Sequence, residues 1–173
     1  MRHGRQVRIF HGLIPFMLLC VVLAMDVRAS EPEVRVSAPG HAPLALDAGA
    51  LAAMPHVSVT AAAHDEPPSE WRGVPLREIL LRAGAPLDKP LHGRDLASFV
   101  RITASDHYQV VFALAELDPT LGHAQAMLVD QRNGQPLAGD GPYRLLVPGE
   151  QRPARWVRNV TAIEVVDGSR SPP

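Results

Sequence analysis

The chain has 173 residues, with 17 Lys and Arg against 18 Asp and Glu and a net charge of −1. This charge balance argues against nucleic-acid binding, which calls for a basic surface. The only cysteine is Cys20, so the sequence after it offers no disulfide, thiolate metal site or cysteine nucleophile. The length suits one domain with its own hydrophobic core.

Residues 1–29 predict a signal peptide. Arginines precede an apolar run over residues 9–24, and Val27 and Ala29 supply the small residues at the −3 and −1 positions of a cleavage site. A retained membrane anchor is the alternative, but the apolar run is shorter than the ~20 residues that a spanning helix needs. We expect general secretion, cleavage after Ala29, and a periplasmic or secreted product without a membrane span.

Residues 30–168 are expected to form a single domain, and residues 169–173 a tail. Asp47 is placed as the N-cap of a short helix, because its carboxylate can accept hydrogen bonds from the first-turn amides. Alternating side chains over residues 57–62 predict a half-buried strand. The proline-containing, polar segment 63–70 predicts a mobile loop.

The clearest predicted helix begins at Pro75, whose fixed φ suits the first helical position. Leu76, Ile79 and Leu80 then recur at helical spacing, and Gly84 is placed at the end of the helix.

A β-hairpin is predicted over residues 100–112, where apolar side chains alternate on both sides of the polar turn Ser105-Asp106-His107. One helical turn is expected at residues 114–118. Further strands are predicted at residues 125–130, 143–147 and 160–166. Because strands outnumber the short helices, the sequence indicates an α+β domain, built on a β-rich, mixed and mainly antiparallel sheet with a few short helices.

Residues 133–158 combine turns, a short strand and a basic-aromatic segment. Asn133-Gly134 and Pro148-Gly149 favour turns on either side of a strand that carries Arg144. Three more arginines follow it closely: Arg152, Arg155 and Arg158. Arginines on a strand flanked by glycine loops suit an anionic ligand; the alternative is an edge strand with a solvated basic loop.

Five segments follow one another between Trp71 and Val166. They are Trp-Arg-Gly-Val-Pro-Leu at 71–76, Ser-Asp-His-Tyr at 105–108, Asn-Gly-Gln-Pro-Leu at 133–137, Gly-Pro-Tyr-Arg-Leu-Leu-Val-Pro-Gly at 141–149 and Arg-Trp-Val at 155–157. Their order resembles the molybdopterin-binding domain of the sulfite-oxidase-type oxidoreductases. The resemblance implies the β-rich α+β domain of that family.

The resemblance also implies that basic and aromatic side chains from the hairpin turn and from the segment around residues 144–156 line a pterin site. The candidate binding residues are Arg144, Arg155, Trp156, Tyr108, Asp106, His107 and Arg152. No catalytic or metal-ligating residue is assigned.

The sequence departs from the family pattern in two places. The molybdenum-ligating cysteine of the family should fall before or near residues 71–100, where there is none. Asp140 takes the place of a histidine, which puts a negative charge where an anionic cofactor would approach. The arginines at the amino terminus are also not adjacent, unlike those of the twin-arginine signal that exports folded, cofactor-loaded enzymes.

These observations favour a metal-free binding module for a small anion or a periplasmic protein partner. Molybdenum in the family sits on a soft sulfur ligand, which this sequence lacks after Cys20. The alternatives are a functional molybdopterin-dependent oxidoreductase and an accessory subunit that shares the cofactor of another chain. No cofactor is assigned, and molybdopterin enters only through the resemblance.

Overall fold

The computed structural model describes residues 32–62 and 66–169. The predicted signal peptide, part of the loop expected at residues 63–70 and most of the predicted tail lie outside these ranges. Neither of the α-helices in the described ranges is long and apolar enough to cross a bilayer.

Five strands form a first sheet: Val34–Ser37 (β1), Leu44–Leu46 (β2), Phe99–Ala104 (β5), Gln109–Ala113 (β6) and Val160–Val166 (β10). Their order in the sheet is β2-β1-β10-β5-β6. β1 and β10 pair in parallel, and the other neighbours are antiparallel. The predicted hairpin is confirmed as β5 and β6, because its apolar alternation places one face of each strand in the core.

Five strands also form a second, antiparallel sheet. They are β3 (Val57–Ala61), β4 (Ser69–Pro75), β7 (Met127–Arg132), β8 (Gln135–Pro136) and β9 (Arg144–Leu146). The order is β3-β4-β7, with β8 and β9 pairing with opposite ends of β7.

Strand β4 differs from the sequence-based expectation, which assigned residues 63–70 to a loop and placed Pro75 at the start of a helix. Ser69, Trp71 and Gly73 alternate inward along β4. At Gly73 a side chain would collide with the Leu128 carbonyl of β7, so glycine is required for the two strands to approach at this irregular point of the ladder.

The two α-helices are short. Helix α1 spans Ala48–Ala52, and the Asp47 carboxylate accepts a hydrogen bond from the Ala50 amide at 2.7 Å, which confirms the predicted cap. Helix α2 spans Leu76–Arg82, so it begins one residue later than expected and Pro75 is its N-cap. Three 3-10 helices cover Gly93–Ala97, Leu114–Leu117 and Pro153–Arg155. The predicted α+β fold class is confirmed.

Both sheets and α2 contribute to one hydrophobic core, in which Trp71, Leu80, Phe112 and Ile163 are buried. All three residues of β9 are also buried. The sheet therefore encloses Arg144 among apolar side chains.

Asp118 is a buried carboxylate that holds the loop before β5 against the turn after β6. It is 1% exposed. It accepts hydrogen bonds from the Thr120 hydroxyl at 2.6 Å, the Thr120 amide at 2.7 Å and the Leu91 amide at 2.7 Å. The hydroxyl and then the two amides lower the pKa of Asp118 below its usual value, since each favours the charged carboxylate.

We predict that Asp118→Asn destabilises the protein at neutral pH and that this loss shrinks in acid. Because the pKa is lower in the folded chain than in the unfolded one, the carboxylate stabilises the fold above the unfolded pKa of about 3.9. Its contribution declines as the pH falls from that value towards the lower pKa of the folded chain. Urea unfolding at pH 7 and at pH 3 measures the difference. An equal difference from the wild type at both pH values would contradict the assignment, and the exposed Asp88→Asn serves as the control.

Candidate functional site

Arg144 lies at the centre of the candidate site. It is 3% exposed, and its Nη1 donates a hydrogen bond to the Asp140 carboxylate at 2.7 Å. Its Cζ lies 5.1 Å from the ring centroid of Trp71 and 5.7 Å from that of Trp156. Its Nε has no hydrogen-bond partner in the part of the chain that the structure describes. Arg144 itself is therefore buried, whereas Arg152 and Arg158 in the basic segment that follows are exposed.

The two tryptophans form an aromatic wall beside Arg144. Their ring centroids are 6.2 Å apart and their planes meet at 83°. Trp71 Nε1 donates to the Ala61 carbonyl at 3.1 Å, and Trp156 Nε1 donates to the Val147 carbonyl at 2.9 Å. Since both indole N–H groups are already used, the tryptophans offer their ring faces rather than hydrogen-bond donors.

Arg132 approaches the same wall from β7. It lies opposite Trp71 in the register of β4 and β7, with its Cζ 4.7 Å from the Trp71 ring centroid. Its guanidinium donates to Glu66 at 2.7 Å and to the Ser69 hydroxyl at 3.0 Å. The hydrogen bond from Arg132 lowers the pKa of Glu66.

Arg158, in the segment before β10, is the third arginine near the two tryptophans. Its side chain is 59% exposed, and its Nε lies 3.2 Å from Asp140 Oδ1. The two oxygens of Asp140 thus contact Arg144 and Arg158. The negative charge expected to repel an anion is matched by two guanidinium groups, an arrangement that residue spacing alone does not indicate.

We call these seven residues the arginine–tryptophan cluster: Arg132, Arg144, Arg158, Asp140, Glu66, Trp71 and Trp156. The cluster holds three guanidinium groups and two carboxylates, so its formal charge is positive. Burial lowers the pKa of Arg144, and the Asp140 carboxylate opposes that change. The exposed Arg158 gives the cluster a cationic group facing solvent.

Two cavities flank the cluster. One, of about 320 Å³, is bordered by Trp71, Arg132 and Asp140. The other, of about 260 Å³, is bordered by Trp156 and Arg158 and by the hairpin turn of β5 and β6. Asp140 borders the first cavity and its ion-pair partner Arg158 borders the second.

Arg155, a predicted site residue, belongs to a separate network. Its guanidinium donates to Glu150 at 2.6 Å and to Glu116 at 3.2 Å, and its Cζ lies 3.9 Å from the Phe112 ring centroid. Burial lowers the pKa of Arg155, but hydrogen bonds to Glu116 and Glu150 outweigh it and raise the pKa above its usual value. The guanidinium of Arg155 already pairs with two carboxylates, so it does not take part in the arginine–tryptophan cluster.

The remaining predicted residues lie around the second cavity or outside it. Tyr108 and Asp106 border that cavity, and the Tyr108 hydroxyl donates to the Ala154 carbonyl at 2.8 Å. His107 occupies the turn with a φ of 68°, is exposed and borders neither cavity. Arg152 is also exposed and has no ion pair among the described residues.

Sequence reasoning missed Arg132 and did not assign Trp71, Asp140 or Arg158 to the site. The available signal was the cross-strand pairing of Trp71 with Arg132, which becomes visible only once β4 is recognised as a strand. Asp140 and Arg144 are four residues apart, but a loop rather than a helix brings them into contact.

Comparison with known proteins identifies a family model and a solved structure that the chain resembles. Residues 67–172 match the family model for the oxidoreductase molybdopterin binding domain. The crystal structure of the sulfane dehydrogenase SoxCD from Paracoccus pantotrophus resembles the chain with a TM-score of 0.60 and 22% sequence identity. The likeness covers 79% of this chain and 38% of that chain, and at this identity it shows a shared fold. No curated protein matches the sequence.

We predict that Arg155→Gln lowers stability by about 1 to 2 kcal/mol, since it removes charge-assisted hydrogen bonds to two partly exposed carboxylates. Urea unfolding measures this loss. The fluorescence of the tryptophan pair should stay unchanged in the folded variant, because Arg155 contacts neither indole. A shifted emission spectrum with unchanged stability would contradict the separation of the two networks.

Proposed function

We propose that this chain, which belongs to the oxidoreductase molybdopterin-binding domain family, is a metal-free binding module for an oxyanion or for the anionic group of a small molecule. The observation that carries the proposal is the buried guanidinium of Arg144, enclosed by two tryptophans and flanked by Arg132 and Arg158. Arginine is suited to this role because its planar fork matches the oxygens of carboxylates and phosphates.

The electrostatics of the cluster favour an anion. Three guanidinium groups outnumber two carboxylates, and Arg158 is 59% exposed beside a cavity of about 260 Å³. Low-dielectric aromatic walls strengthen the attraction between a fixed cation and an incoming anion. The charge of the site therefore favours an anionic ligand.

The donor set fits only part of a molybdenum–pterin cofactor. Guanidinium groups can donate to the anionic groups of a pterin, but they cannot ligate a metal. No group of three or more His, Cys, Asp or Glu residues that could hold a metal ion occurs within residues 32–62 and 66–169. The sole cysteine, Cys20, lies outside those ranges and within the predicted signal peptide. The cluster therefore lacks the soft sulfur ligand that a molybdenum centre of this family would require.

The proposal places the protein outside the cytoplasm. This part rests on the arginine-containing start, the apolar run and the small residues before Ser30. A chain that crosses the membrane unfolded would acquire its ligand after export, which suits reversible binding of a small anion.

We predict that the protein, isolated from the periplasm, binds sulfate and that Arg144→Lys weakens this binding about tenfold or more. The lysine keeps the charge but loses the fork, and a hydrogen bond to a charged group contributes about 1.5 to 3 kcal/mol. Tryptophan fluorescence measures the binding at constant ionic strength.

Arg101→Gln is the matched control, because Arg101 pairs with Glu164 on the first sheet and belongs to no part of the cluster. It should leave sulfate binding unchanged. Equal losses in both variants would contradict a specific site. The same preparation is analysed for molybdenum, and one metal ion per chain would favour the alternative of a working molybdopterin enzyme.

A further inference from the structure

We infer that Asp140 is a built-in competitor at the arginine–tryptophan cluster: its carboxylate occupies the anion position between Arg144 and Arg158, and it makes the site selective for dianions. This inference rests on the proposed function and specifies the ligand class. The expected ligand carries a tetrahedral dianion of the sulfate, hydrogen phosphate or phosphomonoester type.

Asp140 lies between a buried arginine and an exposed one. The side chains of Arg144, Asp140 and Arg158 are 4%, 29% and 59% exposed. Asp140 contacts the buried guanidinium at 2.7 Å and the exposed one at 3.2 Å. An anion that took the place of the Asp140 carboxylate would therefore contact both arginines at once.

The charge of the ligand decides whether displacing Asp140 is favourable. A monoanion that displaces Asp140 exchanges one negative charge for another, so the arginines gain almost no Coulomb energy. A dianion brings a second charge to the same two guanidinium groups, and a tetrahedral oxyanion offers enough oxygens for both. Because Asp140 competes for the same two arginines, we expect monoanions such as nitrate not to bind to the wild-type site.

Local geometry allows the exchange without unfolding. Asp140 lies between Gly139 and Gly141, and Gly139 has a φ of 80°. Its backbone carbonyl accepts a hydrogen bond from the Asn159 amide at 3.2 Å, which anchors the loop independently of the side chain. Asp140 already borders the cavity of about 320 Å³. Rotation of its side chain would vacate the position between Arg144 and Arg158.

The test uses the intrinsic fluorescence of the full-length protein. The sequence has two tryptophans, Trp71 and Trp156, so the signal arises from the cluster itself. Wild type, Asp140→Asn and the control Glu150→Gln are titrated with sodium sulfate and sodium nitrate at constant ionic strength. Glu150→Gln also removes one partly buried carboxylate, but one that pairs with Arg155.

We expect Asp140→Asn to bind sulfate at least tenfold more tightly than wild type and to acquire nitrate binding that wild type lacks. Glu150→Gln should match wild type with both anions. Sulfate binding by Asp140→Asn that is equal to or weaker than that of wild type would overturn the inference. An equal gain in Glu150→Gln would also overturn it, because net charge alone would then explain the effect.

Removing Asp140 leaves Arg144 and Arg158 without this counter-ion, which lowers the stability of the variants in the absence of an anion. Asp140→Ser is therefore compared with Asp140→Asn by thermal unfolding. If both are unstable in chloride and sulfate restores them, the inference is supported. If sulfate restores neither, Asp140 is a structural counter-ion that no ligand replaces, and the inference fails.

The outcomes separate this inference from the proposed function. One outcome is that wild type binds sulfate, Arg144→Lys weakens this binding, and Asp140→Asn binds sulfate no more tightly than wild type. This outcome would support the proposed function and refute the role of Asp140 as a competitor. Binding in Asp140→Asn alone would support Asp140 as the competitor and refute anion binding by the native site.

Discussion

The need to compensate one buried guanidinium organises this structure. Arg144 is 3% exposed on a three-residue strand whose neighbours are apolar. An uncompensated charge in such a place would cost several kcal/mol, so the fold must supply a counter-ion and polarisable surroundings. Asp140 supplies the charge, and Trp71 and Trp156 supply the ring faces. Backbone carbonyls in turn accept a hydrogen bond from each indole N–H and so hold the two rings beside Arg144.

The same arrangement gives the site its chemistry. A guanidinium held by packing needs little reorganisation when an anion arrives, whereas a flexible surface arginine must first be ordered. The cluster combines a buried cation with the more exposed Arg132 and Arg158, which can draw an anion inward. Asp140 then has two physical roles. Its carboxylate is the counter-ion that stabilises the buried Arg144, and it also competes with any incoming anion. Family membership supplies the fold, and the donor set of these side chains determines which chemistry the fold can support.

The fold could be predicted where the pattern was local. The hairpin of β5 and β6, helix α2 and the Asp47 cap all depend on residues within a few positions of one another. Strand β4 was missed because Gly73 and Pro75 resemble a turn leading into a helix. Gly73 is in fact required by the close approach of β7, a partner more than fifty residues away in sequence.

The candidate site was predicted in part for the same reason. Arg144 and Trp156 stand out as a basic and an aromatic residue near glycine turns, and the structure brings them together. Arg155 has the same local signal but is held by Glu116, 39 positions away, which no spacing rule reveals. Arg132 reaches the cluster through cross-strand pairing with Trp71. Long-range pairing therefore decides which arginines belong to the site.

The central claim is that the buried guanidinium of Arg144 is the group that meets the anion. Nitrogen-15 NMR of the arginine side chains tests it most directly, since the Nε–H of Arg144 has no hydrogen-bond partner among the described residues. The account predicts that added sulfate shifts the Nε–H resonance of Arg144 in a saturable manner while that of Arg101 stays in place. A saturable shift at Arg101 with a stationary Arg144 resonance would contradict the account.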